Sequence, residues 1–192
     1  MRFVALALSL FAPAFSHAAA WTIDASHSHV GFAVKHLTVS TVRGEFGKLS
    51  GTLDLNDADL TKSTISVAIE AASIDTREPK RDDHLRSPDF FDTAKHPQIT
   101  FKSTSITKTG TGYTVAGNLT LRGVTKPVTL DVTNASPEVA TPWGHSVRGF
   151  SATTKINRKD FGVNWNSTLG KTGLVVGEEV TITLEIEANN KK

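Results

Sequence analysis

Cysteine is absent from the 192 residues of this sequence. Without a thiol the chain can form no disulfide and no zinc site built on cysteine. It also offers no N-terminal cysteine that could carry a lipid anchor. A domain of this length does not depend on disulfides, because it is long enough to bury a substantial core.

Catalytic signatures are missing as well. The sequence contains no G-x-S-x-G element and no glycine-rich phosphate-binding loop, so it gives no specific sign of nucleophilic or nucleotide chemistry. We therefore predict no catalytic residues and no cofactor. The expectation is that the protein is not an enzyme.

Neither sign of charge is in excess. Lys and Arg together number 21 against 19 Asp and Glu, and the basic residues form no run. A nearly neutral chain has no electrostatic reason to bind nucleic acid or the surface of an anionic membrane. We predict neither partner.

Long apolar runs are absent except at the N-terminus. Arg2 precedes an apolar segment from Phe3 to Phe15, and Ala18-Ala19-Ala20 then supplies a small-x-small cleavage pattern. The segment is too short to span a bilayer, which takes about 20 residues. We predict a signal peptide over residues 1–20 and a single mature domain over 21–192. A periplasmic location without a stable membrane anchor follows from this interpretation.

The remaining sequence is dominated by apolar residues at every second position, which is typical of strands with one dry face. Such rows are Val30, Phe32 and Val34; Leu49, Leu53 and Leu55; Ile65, Val67 and Ile69; Ile99 and Phe101; Leu119 and Leu121; Val128, Leu130 and Val132; and Val180, Ile182, Leu184 and Ile186. No helical pattern alternates with them, so an all-β fold of about eight antiparallel strands is predicted. The alternation alone is compatible with a sandwich or a barrel.

One segment interrupts the strands, between a strand that ends near Ala71 and another that starts near Gln98. Within it, Ser87-Pro88-Asp89 resembles a helix start, because a hydroxyl cap, a first-turn proline and a carboxylate all favour a helix N-terminus. We predict two short helices joined at Ser87. Phe90 and Phe91 give this insertion an apolar surface, so we expect it to pack against the sheet.

Histidines and charged residues are the polar candidates. His27 and His29 fall on one side of a strand, whereas His36 is in the opposite phase, and no carboxylate stands in obvious register with them. We therefore predict no metal site. The charged residues of the insertion form either a solvated face, with pairs such as Asp82 and Arg86, or the polar rim of a ligand site. They are Arg77, Arg81, Asp82, Asp83, His84 and Arg86.

Ordered segments along nearly the whole mature chain resemble the YceI-like lipid/polyisoprenoid-binding proteins of bacteria. The matching segments are Trp21–Asp24, His27–Ser28, Val30–His36, Arg43–Phe46, Ser73–Thr76, Arg81–Asp92, Pro97 with Phe101, Gly117–Val128, Gly149–Phe150, Arg158–Gly162 and Val176–Val180. The resemblance implies an extended lipocalin-like antiparallel β-barrel with a short helical insertion near residues 76–92. It also implies an elongated cavity that holds a polyprenyl, quinone-type or fatty acyl chain for carriage or storage in the periplasm.

Strand phase and the resemblance together name the candidate ligand-binding residues. They are Val30, Phe32, Val34, His36, Phe46, Val67, Ile69, Phe90, Phe91, Phe101, Leu119, Leu121, Phe150 and Ile182, with Arg81 and His84 as candidates for contact with a head group. Two alternatives stay open. One is an enzyme that acts on such a lipid through His36 or His84, and the other is a structural or stress-response protein whose barrel is filled by its own side chains. The oligomeric state is also open, with a homodimer as one option.

Overall fold

The computed structural model describes residues 19–169 and 173–190. Its one α-helix is α1 (Pro79–Arg86), and 3-10 turns lie at Leu60–Lys62, Ala71–Ser73 and Arg158–Phe161. The strands are β1 (Ala19–Ile23), β2 (His29–His36), β3 (Ser40–Phe46), β4 (Leu49–Leu55), β5 (Thr64–Glu70), β6 (Ile74–Asp75), β7 (Gln98–Thr109), β8 (Gly112–Leu121), β9 (Val124–Ala135), β10 (Val139–Ala140), β11 (Ser146–Asn157), β12 (Thr168–Leu169), β13 (Gly173–Leu174) and β14 (Val176–Asn190).

Twelve of these strands form one antiparallel sheet, in the order β10-β11-β9-β8-β7-β5-β4-β1-β14-β2-β3-β6. The sheet closes because β11 pairs with β14 along its whole length. β1 and β2 both pair with the long strand β14, each along a different part of it. On their other edges, β1 pairs with β4 and β2 pairs with β3. The result is a closed barrel of eight strand positions, which confirms the predicted fold and excludes the sandwich.

The hairpin turns lie where the sequence predicts them. The β7–β8 hairpin turns at Gly110, and the β8–β9 hairpin turns at Arg122 and Gly123. Arg122 and Gly123 both have positive φ, 50° and 74°. Two such residues in a row make the kind of tight turn whose twist matches that of the flanking strands.

The barrel interior is one continuous apolar cluster. Along β4, for example, Leu49, Leu53 and Leu55 are buried while the residues between them are mostly exposed. Trp21 of β1 is among the largest fully buried side chains. Full burial of a large apolar side chain stabilises a fold by about 1.5–3 kcal/mol. Burial of these side chains therefore fixes which face of each strand points into the barrel.

Helix α1 confirms the first of the two predicted helices, which ends directly before Ser87. Glu78 caps the helix by accepting from the Lys80 N–H, and Pro79 is its first residue. Asp82 is buried in the first turn, where it accepts from the N–H of Thr76 at 2.9 Å and from its hydroxyl at 2.5 Å. The first turn of the helix is thereby tied to the chain that follows β6.

The predicted second helix is wrong. The chain leaves the helix at Arg86, and residues 87–95 form turns in which the N–H groups of Phe90 and Asp92 both donate to the Ser87 carbonyl. Neighbouring residues of a helix point about 100° apart, whereas these turns let both Phe90 and Phe91 face the barrel. Burial of the two rings therefore outweighs the local capping signal.

The predicted signal-peptide boundary after Ala20 falls inside β1, where Ala19 and Ala20 pair with Leu55 and Asp54 of β4. Residues 1–18 of the predicted signal peptide lie outside the described residues. Within the part of the chain that the structure describes, no helix has the length and apolar character needed to cross a membrane.

Candidate functional site

An apolar cavity of about 260 Å³ lies inside the barrel. Thirty-eight residues line it, and only Ser63, Tyr113, Thr154 and Arg158 among them have polar side chains. A wall of this composition favours hydrocarbon over a polar molecule. The presence of the cavity contradicts the alternative of a barrel filled entirely by its own side chains.

The structure brings nearly all the predicted ligand-binding residues to this lining. They are Val30, Phe32, Val34, Phe46, Val67, Ile69, Phe90, Phe91, Phe101, Leu119, Leu121, Phe150 and Ile182. His36, the last residue of β2, is not on the lining, although Val176, its partner on β14, is. Contact between these residues and a ligand stays a prediction.

Two glycines make room for two of the cavity's phenylalanine rings. A Cβ atom at Gly44 would lie 2.5 Å from Cζ of Phe32, and one at Gly117 would collide with the ring of Phe101. Each ring therefore lies against bare backbone of a neighbouring part of the wall. A side chain at either glycine would therefore displace the ring.

Aromatic rings cover one end of the barrel, which we call the insertion end. Phe90 and Phe91 of the insertion line the cavity there. The ring of Phe91 meets Phe46 edge-on with 5.8 Å between centroids, and Phe90 lies 5.2 Å from Trp165. Edge-on and tilted contacts of this kind are favourable for aromatic pairs, so the insertion is held over the end of the barrel by packing.

Arg158 is the one charged side chain on the lining within the described residues. Its guanidinium donates four hydrogen bonds to backbone carbonyls. Nη1 donates to Val163 O at 2.6 Å and to Trp165 O at 2.9 Å. Nε donates to Gly177 O at 2.8 Å and Nη2 to Val176 O at 3.2 Å. Burial lowers the pKa of Arg158, and the Glu178 carboxylate acts in the opposite direction. Four of the five N–H groups of a guanidinium are thus used by backbone, so Arg158 fixes the chain that follows β11.

The two candidates for head-group contact lie away from the lining. Arg81 donates from Nε to the Thr76 hydroxyl at 2.7 Å and from Nη2 to the Thr76 carbonyl at 2.8 Å. His84 Nε2 lies 2.9 Å from an Asp89 carboxylate oxygen. The His84 ring packs edge-on against Phe90, a ring that itself lines the cavity. A role for either residue in head-group binding stays a prediction.

Arg86 does not pair with Asp82, contrary to the expected i,i+4 contact. Its Nη1 donates to Asp83 at 3.1 Å instead, because Asp82 is occupied by the chain before the helix. The other guanidinium nitrogens of Arg86 donate to the carbonyls of Ala72 and Ile74 at 2.9 and 2.8 Å. Arg86 therefore anchors the insertion to β6 and the turn before it.

His27 stands beside two carboxylates, so the expectation that none is in register with the histidines is wrong. Its Nδ1 lies 3.1 Å from Asp24 and 3.7 Å from Glu187, which the pairing of β14 with β1 brings close. The hydrogen bond from Ser26 is the main reason that the pKa of Asp24 lies far below its usual range, and Asp24 in turn raises the pKa of His27. The three groups could offer metal ligands, but the His27 side chain is 66% exposed and its carboxylate contacts are those of a surface ion pair.

Comparison with known proteins places the chain in a family. It matches the profile of the YceI-like domain over residues 21–188. It is 38% identical to Protein YceI of Salmonella newport over 189 residues, which cover 97% of this chain and 95% of that protein. The crystal structure of BcnA from Burkholderia cenocepacia is similar with a TM-score of 0.75 and 27% identity, over 86% of this chain and 98% of that one.

A second solved structure shows the same fold at lower identity. It is a polyisoprenoid binding domain from Saccharophagus degradans, with a TM-score of 0.62 and 17% identity over 90% of this chain and 99% of that chain. The barrel geometry and the match over residues 21–188 agree with the resemblance drawn from the sequence. This chain belongs to the YceI-like domain family.

Proposed function

We propose that this protein binds a long-chain isoprenoid or another lipid in its barrel and carries or stores it without chemical change. The observation that supports this most directly is the composition of the cavity wall, which is apolar apart from four side chains. The neighbour from Saccharophagus degradans is described as polyisoprenoid binding. At its low identity that structure informs the fold, so the proposal depends on the cavity itself.

The size of the cavity limits how a chain can fit. A cavity of about 150 Å³ is known to hold a benzene molecule, so 260 Å³ corresponds to about ten carbons by the same measure. Burial of ten methylenes gives about 8 kcal/mol, which the association cost of about 4–15 kcal/mol largely cancels. A firmly bound ligand therefore needs a longer tail that pushes lining side chains aside, or a recognised head group.

The direct test combines extraction with a blocked variant. Organic extraction of the purified protein and mass spectrometry should find one lipid per chain. Ala152→Phe adds a ring to the lining of β11, and we expect it to weaken uptake of a fluorescent fatty acid about tenfold or more, which is at least about 1.4 kcal/mol. Lys155→Phe is the matched control, because that exposed side chain lies on the outer face of the same strand.

A series of neutral alcohols from octanol to eicosanol measures how far the cavity opens. If the lining side chains yield, affinity rises steadily with chain length; if they do not, it levels off near decanol. A wild-type protein that neither retains an extracted lipid nor takes up any chain in the series would contradict the proposal.

We also propose that the mature protein acts in the periplasm. The basic residue and apolar run at the N-terminus support this. Because Ala19 and Ala20 belong to β1, cleavage after Ala18 keeps the whole strand, and Ser16 and Ala18 also form a small-x-small pattern. Mass spectrometry of the N-terminal peptide from protein exported by its host should begin at Ala19; an uncleaved N-terminus in the cytoplasmic fraction would contradict the proposal.

A further inference from the structure

The end of the barrel opposite the insertion contains an arginine that faces inward. Phe150, Thr154 and Ile156 of β11 line the cavity, and Arg148 has the same phase because side chains alternate along a strand. Arg148 lies opposite Ala188 of β14, which is fully buried. The small alanine leaves room for the guanidinium, whose Cζ lies 5.8 Å from the ring centroid of Trp21.

Trp21 and Arg148 hold a group of hydrogen-bond donors without acceptors. In the described residues, four buried side-chain polar atoms lack a hydrogen bond, and three of them belong to this pair: Trp21 Nε1, Arg148 Nε and Arg148 Nη1. Trp21 is fully buried, and the Arg148 side chain is 12% exposed. Buried donors in native proteins almost always have a partner, so three unpaired donors in one place indicate a missing acceptor.

The nearest carboxylate does not supply that acceptor. Asp57 approaches Arg148 Nη1 to 3.1 Å, but the two atoms do not form a hydrogen bond. The Asp57 side chain is 51% exposed, so water screens its charge. Asp57 therefore neutralises Arg148 only in part, and the unpaired N–H groups remain available.

From these donors we propose that this end of the barrel binds the anionic head group of the lipid, a phosphate or a carboxylate. Such groups only accept hydrogen bonds, and arginine binds them with charge-assisted bonds. The cavity wall reaches Ile23 and Phe150, each two residues from Trp21 and Arg148 along its strand, a distance of about 7 Å. A lipid whose head group contacts Trp21 and Arg148 can therefore place its tail in the cavity. The inference rests on the proposed function and adds the chemical class of the ligand.

Arg158 at the insertion end cannot play the same part. Its guanidinium is also inward and buried, but four of its N–H groups already donate to backbone carbonyls. A head group there would have to displace those carbonyls. The unpaired donors thus favour the Arg148 end for the charged part of the ligand.

The experiment compares three probes of equal chain length: hexadecanoate, hexadecyl phosphate and hexadecanol. In wild-type protein the two anions should bind about 10- to 100-fold more tightly than the alcohol, as expected for hydrogen bonds to a charged group. Arg148→Met should remove this preference, so that the two anions bind no more tightly than hexadecanol does. Trp21→Phe, which removes the indole N–H and keeps a ring, should reduce the preference by a smaller factor.

A third variant, at the exposed residue Asp57, should raise the affinity for the anions and does not disturb the core. Asp57→Asn removes the exposed carboxylate that competes for Arg148, so it should increase the affinity for both anions and leave that for hexadecanol unchanged. Because a variant that folds poorly cannot gain affinity selectively, this result separates electrostatics from stability. Equal affinity of the Asp57→Asn and wild-type proteins for the anions would overturn the inference.

The remaining outcomes separate this inference from the proposed function. If wild-type protein binds all three probes equally, the head-group site is wrong and the lipid cavity stands. If it binds none, the proposed function fails as well. Inorganic phosphate is the last arm: if it alone raises the melting temperature as much as hexadecyl phosphate does, the pair is a site for a free anion and the lipid head-group assignment is overturned.

Discussion

The two ends of the barrel use the same residue type differently. Arg158, directly after the last residue of β11, lies at the insertion end, and Arg148 lies in β11 at the opposite end. The two are ten residues or about 33 Å apart, and both face inward. Arg158 donates to four backbone carbonyls, whereas two nitrogens of Arg148 have no acceptor. A buried charge therefore has to be judged by its hydrogen-bond partners: Arg158 is part of the scaffold, whereas Arg148 has donors left for a ligand.

The largest expected effect tests this contrast through stability. Arg158→Met should lower the free energy of unfolding by about 3–5 kcal/mol, because it leaves several buried carbonyls without donors. Arg148→Met should change it by about 1 kcal/mol or less, since it loses only a cation–π contact and an ion pair whose carboxylate, Asp57, is half-exposed. Urea denaturation of the two variants measures both values. Equal losses would show that Arg148 is a scaffold residue too.

Strand phase explains why the cavity could be predicted from sequence. The alternation of Val30, Phe32 and Val34 is a local property, and a single buried face fixes the phase of each strand. Phe90 and Phe91 were predicted as an apolar surface of the insertion, and both line the cavity. Whether the sheet closes is a different matter, because closure depends on β11 meeting β14, and no local pattern encodes that pairing.

The two inward arginines were missed for a physical reason. Counting back by two from Phe150 gives Arg148, and counting forward from Ile156 gives Arg158, so the signal was in the sequence. A charged residue is normally on the solvent-exposed face. When an arginine occurs at an inward position, alternation alone therefore cannot show whether the strand has ended or the side chain points into the barrel. Their roles became visible only once each donor could be matched with an acceptor, which requires the chain around Val163 and Gly177 to be in place.

A smaller effect is expected from Arg122, which ties the insertion to the barrel. Arg122, in the β8–β9 turn, donates from Nη2 to Pro88 O at 2.7 Å and from Nη1 to Gly162 O. Arg122→Ala should lower the free energy of unfolding by about 1–3 kcal/mol, because both carbonyls lose a charged donor. It should also speed hydrogen exchange in residues 87–95, measured by mass spectrometry.

Lys126→Ala is the control, because Lys126 is exposed in the same hairpin. It should leave both stability and exchange unchanged. The Arg122 interpretation fails if exchange increases evenly over the barrel instead of in the insertion. Faster exchange confined to residues 87–95 would show that the insertion end depends on hydrogen bonds from the barrel. The Arg148 end is not expected to depend on such bonds.

Each of the two arginines has one carboxylate near it, Glu178 near Arg158 and Asp57 near Arg148. The smallest expected effect is the contribution of Glu178 to stability. Glu178 accepts from Lys159 Nζ at 2.6 Å, and this bond is the main reason that its pKa lies below its ordinary value of 4.5. A carboxylate with a lowered pKa in the folded state adds stability above its unfolded pKa, and that contribution is lost as the pH falls through the folded pKa. Glu178→Gln should therefore be less stable than wild type near pH 7, with the difference shrinking below about pH 4.5.

Urea denaturation from pH 7 to pH 3 measures that difference, and added salt should reduce it because the pair is partly exposed. Glu179→Gln is the matched control, since Glu179 pairs with Lys155 on the outer face at 2.9 Å. Unlike Asp57→Asn, Glu178→Gln should leave the affinity for hexadecanoate unchanged, because the donors of Arg158 stay with the backbone. A gain in hexadecanoate affinity in Glu178→Gln would place the head group at the insertion end and reverse the assignment of the two arginines.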